Sequence, residues 1–375
     1  MTRVKMIPLA QPDIGEDEIR LVNEVLRSGW LSMGPKVGEF EEKFANYIGT
    51  KHAIAVNSGT SGLHICMNAI GIKKGDEVIT SPFSFIASSN CIIFEGGKPV
   101  FVDIEPDTLN LDADRIEAAI TKNTKAILPV HVFGQPCEMD TIMDIVEDHD
   151  LAAVEDACEA IGAEYNGQKA GTFGDASVFA FYPNKQMTTG EGAMIVTDDD
   201  NIAKLCRSLR NQGRSENAEW LNHVRLGYNY RLDEMSCALG IGQLNRIDEL
   251  LEKKAKIAEE YTRHLSGIDG ITTQYLDPKV KMSWFVYVVR VSEDISRYNV
   301  MKYLKEHGVS CRPYFTPIHL QPFYKEMFGY KEGDFQICEK VCDSTIALPF
   351  YGNMDKETIR KVCSVLKDSL ELCKK

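Results

Sequence analysis

Long apolar runs are missing from the 375-residue chain: nowhere do eighteen consecutive apolar residues occur, so no segment reads as a membrane-spanning helix. The first residues, Met1-Thr2-Arg3-Val4-Lys5-Met6-Ile7-Pro8, hold no apolar stretch of signal-peptide length. Secretion is therefore not expected, and the cytoplasm is the expected compartment. Positive charge is also short. A net charge of -13 leaves no basic face for a general nucleic-acid binder, although a local pocket could still hold one anionic ligand. The eleven cysteines are odd in number and scattered, with no C-x-x-C pair and no zinc-like clustering with histidine. They read as reduced, mostly buried thiols, and no metal site is expected. Repeats and low-complexity segments are absent too.

What remains is ordinary globular material, 44% hydrophobic and 26% charged, and long enough for about two domains. A chain of this size buries roughly three quarters of its unfolded surface without staples. Short apolar runs recur at His52–Val56, Glu77–Thr80, Pro99–Val102, Ala126–Val130, Ala152–Val154, Ser177–Phe181 and Ala193–Thr197, separated mostly by amphipathic segments. This pattern predicts an α/β fold with a mostly parallel seven-stranded sheet between helices, whose ligands bind at the strand ends. Glu16–Arg27 carries a helical stripe and stops at Ser28-Gly29, as an N-terminal arm would. Arg246–Leu265 places Ile247, Leu250, Leu251, Ile257, Ala258, Tyr261 and Leu265 at helical spacing. That helix divides the chain into a large domain, 1–245, and a smaller C-terminal α/β domain, 246–375. The small domain reads as strand Trp284–Val291, helix Tyr298–His307, aromatic loop Tyr314–Tyr324, helix Phe335–Cys342 and helix Lys356–Leu372.

Lys185 follows Phe179, Phe181, Tyr182 and Pro183 and precedes the Gly190-Glu191-Gly192 turn. A lysine held beside aromatics at a sheet edge loses its proton more easily and serves as nucleophile or base; a loop lysine whose stem covers an aromatic surface is the plain alternative. Three other strand ends carry matching features. Asn57-Ser58-Gly59-Thr60-Ser61-Gly62 joins a strand to a helix start and suits a phosphate, though such a turn also serves simple helix capping. It lacks the G-x-G-x-x-G spacing of a dinucleotide site and the lysine of a P-loop. Ser81-Pro82-Phe83-Ser84-Phe85 offers a ring for stacking on a flat cofactor. Asp156 ends an apolar run and could hold a heterocyclic nitrogen protonated. Cradle, ring, carboxylate and lysine in this order match pyridoxal phosphate better than any other cofactor.

On these residues the chain resembles the sugar-nucleotide aminotransferases of the DegT/DnrJ/StrS type, within the fold-type-I pyridoxal phosphate enzymes. The resemblance runs over nearly the whole length: Ser28 to Pro35, Ser58-Gly59-Thr60, Gly75 to Ile79, Glu155-Asp156-Ala157, Asn184-Lys185 through Gly192, Leu226 to Arg231, and Tyr314 to His319. It implies that Lys185 forms the Schiff base with pyridoxal 5'-phosphate and that Asp156 pairs with the ring nitrogen. It further implies that Gly59 and Thr60 hold the phosphate, that Phe85 stacks on the ring, and that Asn229 reaches the phosphate of a neighbouring subunit in a homodimer with a shared active site. Two positions depart from the common pattern. Ala180 stands where many members have a phosphate-binding serine, and Glu159 stands near the ring where many have glutamine. Trp30, Arg231, Tyr314 and His319 are the candidates for the substrate side, and Arg210, Arg214 and Arg312 for a diphosphate.

The implied reaction transfers an amino group, in most of the family from L-glutamate, to a keto group of a nucleotide-linked deoxysugar. Three alternatives stand beside it. One is a sugar dehydratase, in which histidine replaces the lysine; the others are an aminotransferase acting on a cyclitol ketone and a cofactor-binding regulator without turnover.

Overall fold

Alternation along each apolar run decides the architecture. In β1 (His52–Val56), Ile54 and Val56 enter one hydrophobic core while Ala53 and Ala55 enter another on the opposite face. The same division repeats in β6 (Ala176–Ala180), where Val178 and Phe179 face opposite ways, and in β7 (Ala193–Thr197), where Ile195 and Val196 do. Both faces are therefore covered, as a sheet wrapped by helices requires. With β2 (Glu77–Thr80), β3 (Lys98–Phe101), β4 (Thr124–Leu128) and β5 (Ala152–Asp156), these strands form one seven-stranded sheet in the order β1-β7-β6-β5-β4-β2-β3. β7 is antiparallel to both its neighbours, and every other pairing is parallel. Six strands thus end at one edge of the sheet. The computed structural model describes residues 6–215 and 222–373, so Met1 to Lys5 of the N-terminal reading lie outside it.

The expected helices stand close to where periodicity puts them. Glu16–Ser28 ends on Gly29, whose φ of 71° makes the left-handed stop that glycine accepts. Ile247–Leu265 spans two cores: Ile247 and Leu250 join the core of the large sheet, and Ile257, Ala258, Tyr261 and Leu265 join a second one. That second core is built on a three-stranded antiparallel sheet of Ile271–Thr273, Tyr287–Val291 and Thr345–Leu348, with helices Arg297–Glu306 and Lys356–Leu372 packed against it.

Three differences from the sequence reading have physical causes. The strand expected from Trp284 begins at Tyr287, because Ser283 and Phe285 turn away to meet the large sheet's loops: Ser283 N donates to Gly134 O, and Phe285 joins the first core. The aromatic loop ends early because Pro322 opens helix Pro322–Phe328. Helix Gln336–Ser344 runs directly into Thr345–Leu348, a strand with no turn signal before it. Among the described residues no helix is long and apolar enough to cross a membrane.

Candidate active site

The turn after β1, the loop after β5 and the loop after β6 meet at the shared strand edge. Helix Gly59–Ala69 starts there, with Ser58 as its cap: Ser58 Oγ accepts from Ser61 N at 3.1 Å. The amides of the first turn have no intrahelical partner, and they carry the positive end of the helix dipole. A side chain at Gly59 would place its Cβ 3.1 Å from both Ala180 Cβ and Cys158 Sγ. Glycine is needed for that approach, and the neighbour across it is the Ala180 methyl rather than a hydroxyl.

Asp156 is 5% exposed at the end of β5. Ser88 Oγ donates to its Oδ2 at 2.6 Å, Ser84 Oγ lies 2.7 Å from Ser88 Oγ, and Cys158 N donates to Oδ1 at 3.2 Å. Asp156 N donates to Pro129 O and His131 N to Asp156 O, so the backbone is fixed as well. An enclosed carboxylate whose oxygens are oriented by these donors is placed to pair with a ring nitrogen.

Lys185 lies in the turn after β6, its N–H donating to Tyr182 O at 2.8 Å. Its side chain is 13% exposed. Nζ donates to Glu159 Oε1 at 3.2 Å and stands 4.0 Å from the centroid of the Phe285 ring. Glu159 also accepts from Phe133 N at 2.9 Å. Burial pushes the Glu159 carboxyl above its ordinary value, against the pull of Lys185 and the Phe133 amide. That amide is aimed by a left-handed pair of residues, Phe133 (φ 57°) and Gly134 (φ 96°). A Cβ on Gly134 would fall 1.6 Å from Ser283 O, so only glycine lets the two loops meet. Next to the lysine, Gln186 Nε2 donates to Glu159 O and to both oxygens of Ser283, which fixes the amine and Phe285 relative to each other.

The remaining candidates divide. Phe85 is 63% exposed at the end of β2, free to present a ring. Tyr314, half-buried, lies beside Asn184 and Glu159, which places it near the lysine. Tyr228 and Tyr230 stack at 4.9 Å against His64, which leaves Asn229 on the opposite side of its extended segment and exposed. Trp30 is 58% exposed, its Nε1 donating to Ser32 O at 2.9 Å. Arg231 donates to Asn211 Oδ1 at 3.0 Å and, with Arg207, Arg210 and Arg214, lines a separate hollow of about 340 Å3. Arg210 is taken up by Glu41 and Ala55 O, and Arg312 is exposed beside Tyr314. His319 corrects the reading. It is fully enclosed, its ring between Tyr330 and Phe335 and its Nε2 3.0 Å from Glu339, so it cannot touch a substrate in the cleft.

The donor set fits pyridoxal phosphate: a dipole end bordered by glycine for the phosphate, an enclosed carboxylate for the ring nitrogen, an exposed ring, and an amine between them. Sequence reasoning missed two residues here. Ser88 left no signal beyond lying in the helix after Phe85. Lys254 did leave one, since it falls on the apolar stripe of its helix between Leu250 and Ile257.

Comparison with known proteins agrees. Residues 12–367 match the profile of the DegT/DnrJ/EryC1/StrS aminotransferase family. A GDP-perosamine synthase of Caulobacter vibrioides is 39% identical over 377 residues, covering 99% of this chain and all of that protein. The structure of Helicobacter pylori PseC, an aminotransferase involved in the biosynthesis of pseudoaminic acid, superposes with a TM-score of 0.94 at 28% identity, over 98% of this chain and 100% of that one. DesV of S. venezuelae, in complex with a ketimine intermediate, gives 0.92 at 31% identity, over 98% and 99%. The chain belongs to the DegT/DnrJ/EryC1/StrS aminotransferase family, and its cofactor is pyridoxal phosphate.

Proposed function

We propose that the protein transfers an amino group from L-glutamate to the keto group of a nucleotide-linked deoxysugar, as a step of amino-sugar biosynthesis. The observation that carries this reading is the enclosure of the Lys185 amine by Glu159 and Phe285 at the same strand edge as the Asp156–Ser88 pair. An activated sugar as acceptor is supported by the relatives, whose names include a GDP-perosamine synthase and an aminotransferase of pseudoaminic acid biosynthesis.

When bound, the cofactor supplies an electron sink for the bond-breaking at the amino acid's α-carbon. The chain's own groups do the rest. Asp156 holds the ring nitrogen protonated, with Ser88 steadying its second oxygen. The first-turn amides of Gly59 and Thr60 receive the phosphate. Lys185 Nζ would hold the cofactor and would serve as the base that takes a proton from the donor carbon and as the acid that gives one to the acceptor carbon. Glu159 keeps that amine in place, Phe85 covers one ring face, Tyr314 and Trp30 flank the way in, and Arg231 is assigned to the substrate from the separate hollow it lines. Asn229 reaches across a homodimer to the second copy's phosphate. The exposure of Val224 and Leu226, just before Asn229, is consistent with a covered interface. We place the domain division at the start of helix Ile247–Leu265, which leaves one core for the other along its length.

The test is product analysis by mass spectrometry after incubation with L-glutamate and a panel of nucleotide ketosugars. An amino sugar nucleotide is expected, together with 2-oxoglutarate in equal amount. A deoxygenated ketosugar that has gained no nitrogen would instead establish a dehydratase, and amination of a cyclitol ketone alone would move the substrate class.

A further inference from the structure

Lys254 is a buried lysine in the one place where a second positive charge matters. It projects from the middle of helix Ile247–Leu265, is 6% exposed, and donates to Phe285 O at 3.1 Å, with the Phe350 ring 5.2 Å away. Both are neutral partners, and no ion pair to Lys254 is found among the described residues. Lys185 Nζ sits over the ring of the same Phe285 whose carbonyl Lys254 engages. The two amines line one cavity of about 20 Å3, enough for a single water. The charged groups around it are accounted for. Glu159 faces Lys185. Asp13, on the far wall, is held by Lys253 at 2.8 Å and Arg246 at 3.0 Å. A buried cation without a carboxylate costs stability, so its retention asks for a use.

We propose that Lys254 is a positioning residue for the chemistry of Lys185: from behind the reacting amine its ammonium resists positive charge at Lys185 Nζ and offsets the opposite influence of Glu159. The amine that must act as a base is thereby flanked by one anion and one cation rather than by the anion alone. Burial and the nearby Lys185 draw the Lys254 pKa down to about 7. The same location gives the arrangement a mechanical side. Lys254 lies between Leu250, packed on the large sheet, and Ile257 of the core on the three-stranded sheet, so its distance from Lys185 depends on how these two cores are seated.

The inference rests on Lys185 being the amine that carries the cofactor, and the experiment separates the two. The cofactor-loaded protein is titrated with pH while its visible absorbance, which reports protonation of the lysine–cofactor linkage, is followed. Lys254→Met should move the midpoint to higher pH by about one unit or more, the usual size for removal of a close like charge. Lys254→Arg, which keeps the charge, should restore it toward wild type, and Glu159→Gln should move it to lower pH. Lys254→Gln keeps a donor for Phe285 O without the charge and must behave as the Met variant does, which covers a Met variant that fails to load. Unmoved midpoints in Met and Gln, or an Arg variant displaced as far as they are, overturn the proposal. Lys185→Ala tests the premise separately: if that protein keeps the same absorbing linkage, the assignment of Lys185 fails, whatever Lys254 does.

Discussion

One hydroxyl governs how firmly Asp156 is held. Ser88 Oγ is the side-chain donor to Oδ2, and it reaches Asp156 from a helix 68 residues away in sequence. A hydrogen bond to a charged group is worth about 1.5–3 kcal/mol. Ser88→Ala should therefore lower kcat about tenfold, with KM for the sugar little changed because Ser88 lies behind the carboxylate; steady-state kinetics with the ketosugar varied checks this. A rise in KM with kcat intact would instead place Ser88 in the substrate pocket. At this scale position was readable: Asp156 closes its strand and Lys185 lies in the turn after another, because an apolar run marks where a strand stops. His319 was misplaced because its surroundings, Tyr330, Phe335 and Glu339, come from later residues that fold back over it. Motif neighbours Tyr314 and His319 share a loop, yet only Tyr314 reaches the lysine.

Elements complete one another in ways local sequence does not record. Helix Pro35–Ile48 begins after Gly34, which has no side chain to cap it. Its cap is Glu234, two hundred residues further on and 1% exposed, which accepts from Gly34 N, Lys36 N and Val37 N at 2.8–3.1 Å, while Glu234 N donates to Leu31 O. The carboxylate satisfies three amides of the first turn and stands at the positive end of the helix. It also fixes the Trp30–Gly34 segment that the proposed function places at the substrate entrance. Glu234→Ala should destabilise the protein by about 1–3 kcal/mol in denaturant unfolding and raise KM for the sugar more than for glutamate. Equal effects on both substrates would detach this segment from the sugar side. The strands themselves were legible to within a residue or two, because full burial on both faces writes a continuous apolar run. Thr345–Leu348 was not, since it follows a helix with no glycine or proline between them.

Across the whole molecule, Lys185, the proposed active-site lysine, is positioned by both cores. Strand β6 of the large sheet delivers the Lys185 turn, and the Gln186–Ser283 bonds bring in Phe285 just before strand Tyr287–Val291 of the second core. Helix Ile247–Leu265 adds Lys254 from behind. The sequence suggests two lobes and a linking helix, but which side chains meet between the two cores depends on packing between segments about a hundred residues apart. Two buried amines, Lys185 and Lys254, consequently stand at one residue, Phe285, and the account assigns the cofactor to the first. Borohydride reduction of the cofactor-loaded protein, followed by peptide mass mapping, distinguishes them directly. A single pyridoxyl-modified peptide containing Lys185 is expected, with Lys254 unmodified; a label on Lys254, or on neither lysine, would contradict the assignment of Lys185.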